Sequence, residues 1–405
     1  MLAAVADNVS DLRVVLGGLA ALVAYPYVIY PLLVGALSRL VRLVGRPKTD
    51  SAEGPHTLPT VAVLTAVYNE DQVLREKLDN CRRIAYPRDR VTFWFGSDGS
   101  TDATAAILSQ VDDPRIAVRL FFERRGKSAV LRSLLEATDA ELIVFTDANT
   151  MLEPGAVRAL ADAFHDPRVG YACGRLELQT SAAHGACNTE ARYWDLENRL
   201  KACESELGVL VAVNGSLFAV RRELLRPAPP GSLTEDQVMG MQTAVEGFRG
   251  VFVRRAVGRE SVSTRGGEWR RRVRISAGNF QSLFLVPAIL NPRRPWLAFC
   301  FVSHKLCRWL VPLWLVGLLA CSTAAVHDPL MQLALAAQIV FYTCGVAGLL
   351  VPPGWRIARA LRLPGYFLMM HAAVLAGLGR FVGGHQRVTW EKAERLETAD
   401  KARTL

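Results

Sequence analysis

The sequence predicts an α/β domain held between membrane-spanning helices, and three observations predict it. The 405 residues are 51% apolar, but about the first 45 and about the last 110 hold nearly all the uncharged runs long enough to meet the criterion for a membrane span. The middle reads as a water-soluble domain of ordinary size. Within it, β-rich apolar runs alternate with helix-like stretches, the rhythm of a parallel sheet covered on both faces. Each run also stops at polar residues, most plainly Leu142-Ile-Val-Phe145, which leads into Thr146-Asp147-Ala148-Asn149. Ligands of open α/β sheets collect at such strand ends, and side chains at i and i+2 point the same way as the chain leaves the sheet. Asp147 and Asn149 therefore offer hard oxygen ligands suited to Mg²⁺ or Mn²⁺, although an ordinary Asp/Asn turn has the same composition.

Taken in order, residues 1–48 hold a first span, Val14–Leu40, interrupted mainly by Pro26 and Pro31. Arg39, Arg42, Arg46 and Lys48 place its end inside, and the acidic start (Asp7, Asp11) excludes a cleaved signal peptide. Residues 49–59 are a polar linker. The domain at 60–280 opens with the strand Thr60 to Thr65 and Ala66-Val67-Tyr68-Asn69-Glu70, then a helix from Asp71 to Arg82. Val91 to Asp98 repeats the design, with Ser100 or Thr101 placed to cap a helix from Ala103 to Val111. A third strand, Ile116 to Phe122, leads into Gly126-Lys127 and a helix to Ala137, and the strand before Asp147 is the fourth.

The repeated polar end is where a nucleotide fits. Glu70 and Asp98 accept hydrogen bonds of the kind a base and a ribose donate, and Lys127 beside Gly126 suits a phosphate. Read singly, Glu70 is a helix-start carboxylate, Asp98-Gly99 a turn and Lys127 a solvated charge; three such residues at successive strand ends make a site. Neither G-x-G-x-x-G nor G-x-x-x-x-G-K-[ST] is present, which excludes the dinucleotide and P-loop signatures. Thr234-Glu235-Asp236 follows the break at Ala228-Pro-Pro230 and opens a helix to Val245.

Beyond 280, Leu283–Leu290 and Pro295–Val302 (within 281–302) are too short to span and are expected in the interface, with Trp296 and Trp309 at headgroup level. In 303–385 the expected spans are Leu310–Ala325, Leu330–Val351 and Gly365–Phe381, followed by a polar tail, 386–405. The basic loop Trp355–Arg362 belongs inside and His327-Asp328 outside. Parity then puts the C-terminus outside, Arg387, Lys392 and Arg395 argue for inside, and a re-entrant last segment is the third option. His304, Lys305 and Arg308 either meet a lipid phosphate or snorkel. The net charge of +10 and pI near 9.4 come without a nucleic-acid module and are explained by arginines flanking the spans. Eight cysteines without C-x-x-C or metal spacing read as reduced thiols.

In this order and spacing, Ala66-Val-Tyr-Asn-Glu70, Ser97-Asp-Gly-Ser-Thr-Asp102, Gly126-Lys127 and Asp147-Ala-Asn149 resemble the nucleotide-sugar half of the family 2 glycosyltransferases. The resemblance continues through Gly174-Arg-Leu176, Glu190–Glu197, Asn214-Gly-Ser216, Thr234-Glu-Asp236 and Arg271-Arg-Val-Arg-Ile275, and the flanking spans resemble the branch holding cellulose, chitin, hyaluronan and chitooligosaccharide synthases. It implies a GT-A fold, a Rossmann-like mixed sheet, in a cytosolic domain of an inner- or plasma-membrane protein. It further implies an inverting transfer from a nucleoside-diphosphate sugar, UDP-linked, to a growing polysaccharide or oligosaccharide, with Mg²⁺ or Mn²⁺; the alternative is a single addition to a lipid-linked acceptor. On that resemblance Ala66, Tyr68, Glu70, Asp98, Lys127, Asp147, Arg271 and Arg274 hold the donor, Asp147 and Asn149 the metal, and Trp194, Asn214 and Gly215 the acceptor. Asp236 is the base, with Glu235 its neighbour.

Two motifs depart from the family pattern. Asn149 stands where a second carboxylate is usual, which weakens the metal site without abolishing it. Aligning Arg274 with the arginine of Q-x-x-R-W puts Arg271 for Gln and Ile275 for Trp, with Gly278 and Gln281 following. The missing aromatic face puts processive elongation in doubt unless Trp194 or Trp269 supplies it, both being equally readable as core aromatics. A single-addition transferase on a lipid-linked acceptor suits that departure, and intact Asp98, Asp147 and Asp236 argue against a non-catalytic scaffold.

Overall fold

The computed structural model describes residues 2–45, 57–179, 187–261, 265–351 and 356–386. Arg46, Lys48, most of the expected linker, Trp355, and Arg387, Lys392 and Arg395 of the expected tail lie outside the described residues, as does the Cys187 side chain.

Among the described residues eight strands form one sheet: β1 (Val61–Val67), β2 (Val91–Asp98), β3 (Ile116–Phe121), β4 (Leu142–Phe145), β5 (Met151–Leu152), β6 (Val169–Gln179), β7 (Phe218–Arg221) and β8 (Arg249–Ser261), in the order β3-β2-β1-β4-β7-β6-β8-β5. The first four are parallel, as the strand–helix rhythm predicts. β7 runs antiparallel to both β4 and β6, so the whole sheet is mixed. β1 is buried along its length, and its residues alternate between two cores. Ala62, Leu64 and Ala66 face one core, shared with α5 (Lys127–Leu135), α7 (Cys187–Glu206), α8 (Glu235–Val245) and Phe280 of α9 (Arg265–Leu285). Val61, Val63 and Val67 face the other, shared with α3 (Asp71–Arg82), α4 (Thr104–Ser109) and α6 (Ala156–Ala163). A period of two distributed over two apolar layers accounts for the unbroken hydrophobic run.

Among the described residues four helices are long and apolar enough to cross a membrane: Ser10–Leu43, Pro295–Ala324, Pro329–Leu350 and Ala360–Val382. The first joins α1 (Leu2–Ala24) to α2 (Tyr30–Leu43) through a π turn, Tyr25–Ile29. Pro26 lies in the π turn and Pro31 in the first turn of α2, and neither donates to the helical ladder. The second joins α10 (Pro295–Phe301) to α11 (Cys307–Ala324) through another π turn, Val302–Leu306. Pro295–Val302 is thus the start of a continuous helix, where the sequence suggested a separate interfacial piece. Trp309, expected at headgroup level, is 5% exposed and packs edge-on to Phe280 and Phe301. α12 (Pro329–Leu350) and α13 (Arg356–Val382) complete the set.

His304, Lys305 and Arg308 meet carboxylates of α7, where lipid phosphate or snorkelling was expected. The buried His304 lies 2.7 Å from Glu204 through Nδ1 and 2.9 Å from Glu197 through Nε2. Arg308 donates to Glu197 Oε2 at 2.8 Å, and Lys305 lies 3.6 Å from Oε1. Tyr30, beside the first π turn, donates to Glu204 at 2.8 Å. Helix α7 of the α/β domain is therefore tied to two spans through its buried carboxylates.

Candidate active site

The parallel strands deliver their carboxyl ends to one edge of the sheet, and the antiparallel register Phe145↔Phe218 brings the start of β7 to the same edge. Asn214-Gly215-Ser216 therefore lies beside the residues that follow β4. Lys127, first residue of α5, occupies the centre. Its Nζ is 2.9 Å from Asp147 Oδ1 and 3.0 Å from Glu235 Oε1. A Cβ placed on Gly215 would stand 3.3 Å from Asp236 Oδ2 and 3.6 Å from Lys127 Nζ. Four sequence-predicted residues thus surround one ammonium. Burial would lower the Lys127 pKa, but Asp147, Glu235 and Asp236 together hold it above the usual lysine range. The Asp236 pKa is raised as well: burial and the adjacent Glu235 raise it, against Lys127, which lowers it.

Asp98 is fully buried at the end of β2. It accepts from the backbone amides of Arg125 (2.6 Å) and Gly126 (3.2 and 3.1 Å), and so positions the turn that launches Lys127. Gly126 adopts φ 88° there, a conformation that a side chain disfavours. Asn69, at φ 54°, accepts from the Thr101 amide at 2.8 Å and ties the end of β1 to that of β2. Tyr68 lies under the Arg124 guanidinium, 3.6 Å from its ring centroid, a contact the sequence did not single out. The Glu70 amide donates to Thr104 Oγ1 at 2.8 Å at the entry to α3. Ala66 is 7% exposed and belongs to the core.

α9 closes the other side. Arg274 donates to the Leu233 carbonyl at 3.2 Å, and Gln281 both accepts from the Leu233 amide (2.9 Å) and donates to the Gly231 carbonyl (3.0 Å). Gly278 permits this approach, since a Cβ there would lie 2.6 Å from Thr234 Cγ2. Arg271 is held by Glu268 (3.1 Å) and Glu190 (3.3 Å). Glu268 also receives Arg272 and is depressed to about 2, burial being outweighed by the two arginines. Glu190 is raised to about 7 by burial and by Glu268. The Glu268 signal in the sequence was its spacing, i+3 and i+4 to the two arginines. Trp194 is half-buried, with the Lys201 ammonium 5.6 Å from its ring; its indole N–H and the Asn214 amide nitrogen have no partner among the described residues.

Residues 59–275, more than half of the chain, match the family described as "Glycosyltransferase like family 2". The chain belongs to that family. Among its relatives, a β-monoglucosyldiacylglycerol synthase of Synechocystis sp. is 27% identical over 57% of this chain and 50% of its own length. An N-acetylglucosaminyltransferase of Azorhizobium caulinodans is 22% identical over 71% of this chain and 76% of its own. The chain spans 50–62% of the length of the three monoglucosyldiacylglycerol synthases it matches. A solved mannosyltransferase of Pyrobaculum calidifontis, in complex with GDP-Man and Mn²⁺, superposes with TM-score 0.68 over 93% of this chain and all of that one, at 24% identity. That likeness extends the family assignment to the fold, GT-A with its flanking apolar helices.

Proposed function

We propose that this family 2 protein is a membrane-bound inverting glycosyltransferase that takes a nucleoside-diphosphate sugar, UDP-linked, on the cytosolic side of the inner or plasma membrane. The observation that carries the reading is the gathering of Asp147, Glu235 and Asp236 around Lys127 at the sheet edge. Asp236 takes the proton of the acceptor hydroxyl as its oxygen bonds to C1 and the C1–phosphate bond breaks, the diphosphate leaving with the electron pair. A raised pKa makes Asp236 a better proton acceptor than an ordinary carboxylate, and Glu235 stands next to it. Lys127 turns from the carboxylates to the diphosphate, with Arg271 and Arg274 on the α9 side. Ala66, Tyr68, Glu70 and Asp98 form the nucleotide side.

The donor set of Asp147 and Asn149, one carboxylate and one amide oxygen, fits a hard divalent cation that takes its remaining ligands from diphosphate and water. Among the described residues no group of three His, Cys, Asp or Glu side chains forms a closed metal cage, which agrees with an ion brought in with the donor. Bound there, Mg²⁺ or Mn²⁺ supplies charge stabilisation to the leaving diphosphate.

Asn214, Gly215 and Trp194 form the acceptor side, where the amide nitrogen of Asn214 and the indole N–H of Trp194 are buried without a partner among the described residues. The acceptor is a saccharide or a lipid-linked molecule. Ile275 in place of the motif tryptophan, and relatives named as glycolipid synthases, favour single addition to a lipid. Purified protein given a panel of donors should release UDP or GDP with one of them, and mass analysis of the product should show one added sugar. A ladder of lengths would favour elongation, and no release with any donor would remove the enzymatic reading. EDTA should abolish release, and Mn²⁺ should restore it at least as well as Mg²⁺.

A further inference from the structure

Lys77 was read in the sequence as one more residue of a helix, yet it is completely buried. From the middle of α3 its Nζ donates to Thr146 Oγ1 at 3.2 Å and, in a short contact, to the Thr150 carbonyl. Those two threonines bracket Asp147-Ala148-Asn149. The network continues into a closed ring. Thr146 Oγ1 donates to the Ser216 carbonyl (2.9 Å), Ser216 Oγ donates to Glu260 Oε1 (2.6 Å), and Thr150 Oγ1 donates to the same oxygen (2.6 Å). All five residues of the ring are under 9% exposed. One turn further along α3, Asn80 exchanges two hydrogen bonds with the backbone of Leu152 (2.7 and 2.9 Å). One face of α3 therefore grips the segment 146–152 at three points.

A buried ammonium whose direct partners are neutral is expensive, and a methionine of the same length would serve the core better. Burial lowers the Lys77 pKa, and Cys81, Asp147 and Glu260 oppose that only in part. The arrangement is explained by what it holds. We propose that Lys77 is a positioning residue for the metal-binding loop, fixing both ends of Thr146–Thr150 so that Asp147 and Asn149 present their oxygens together, with Glu260 coupling that loop to the Asn214–Ser216 turn. The proposal rests on the reading of Asp147 and Asn149 as metal ligands. Residues that orient a ligand set govern its affinity by roughly 10–100-fold, and a set with one charge in place of two leans more on being preorganised.

The test is Mn²⁺ uptake, read from loss of the free Mn²⁺ electron paramagnetic resonance signal, by the full chain in detergent with UDP or GDP present. Lys77→Met and Lys77→Gln should raise the Mn²⁺ dissociation constant roughly 10–100-fold, Gln less than Met because it retains a donor. Metal-free UDP affinity, measured on the same samples, should stay within about twofold, because Asp98 and Tyr68 lie on another strand end. Unchanged Mn²⁺ affinity in Lys77→Met overturns the proposal. So does an equal loss of metal-free UDP binding, or failure of both variants to fold, each of which makes Lys77 a core residue only. If the wild-type chain itself takes up no Mn²⁺ with UDP or GDP, the metal-site reading fails and this inference falls with it.

Discussion

Asp236 can serve as base or as an ordinary first-turn carboxylate of α8, and one substitution separates the two. Asp236→Asn keeps shape and removes the proton acceptor, so transfer should fall by about 10²–10⁴-fold while donor affinity and thermal stability hold. Near-normal transfer would move the role to Glu235. The pH profile adds a second reading. Burial and Glu235 raise the Asp236 pKa while Lys127 lowers it, so the acid limb of kcat/KM should lie above the ordinary carboxylate range, with activity lost as pH falls through it. Lys127→Met removes the lowering influence, so that limb should shift to higher pH whatever happens to its height. A shift to lower pH would contradict the assignment. Asp98→Ala should act through the turn it holds: three hydrogen bonds to Arg125 and Gly126 are lost, so donor KM should rise, and a fall in turnover at unchanged donor KM would refute its place on the nucleotide side.

At the scale of elements, the join between α9 and the Leu233–Asp236 turn is where packing meets chemistry. Gly278 faces Thr234 and Leu233 at distances that leave no room for a methyl group, 2.6 and 2.9 Å from a Cβ. Helix propensity alone would make Gly278→Ala stabilising by about 1 kcal/mol. Overpacking opposes it by about 1–3 kcal/mol, so the clash should prevail: thermal stability should drop, and transfer should drop further because the displaced turn carries Asp236. A variant more stable than the parent, at full rate, would show that α9 does not press on the turn.

Across the whole molecule, the soluble sheet and the spans are joined by buried charge. Glu197 on α7 receives His304, Lys305 and Arg308 from one span and is held well below the usual carboxylate range, burial being overcome by these cations. Glu197→Leu removes the carboxylate that Lys305 and Arg308 share, which should cost about 3–5 kcal/mol, measured as a lowered unfolding midpoint in detergent; an unchanged midpoint would mean that the contact is incidental. At the far end of the bundle Arg13 pairs with Asp328, tying the start of the first span to the loop between the next two.

The strands, their polar ends and the spans were legible because their causes are local. A period of two over buried layers, a stop at Asp or Asn, and a run of about 20 apolar residues each leave a mark on neighbouring positions. Motif spacing made Asp98, Lys127, Asp147 and Thr234-Glu235-Asp236 readable as one site, and the fold does bring Lys127, Asp147, Glu235 and Asp236 together. The tertiary structure alone decided which charges are structural. Lys77 looks like a solvated lysine, His304 and Arg308 look like interfacial cations, and nothing within a helical turn of them shows otherwise. Their partners lie 69 to 111 residues away in sequence, and the burial of a charge depends on what packs over it, which no local pattern encodes.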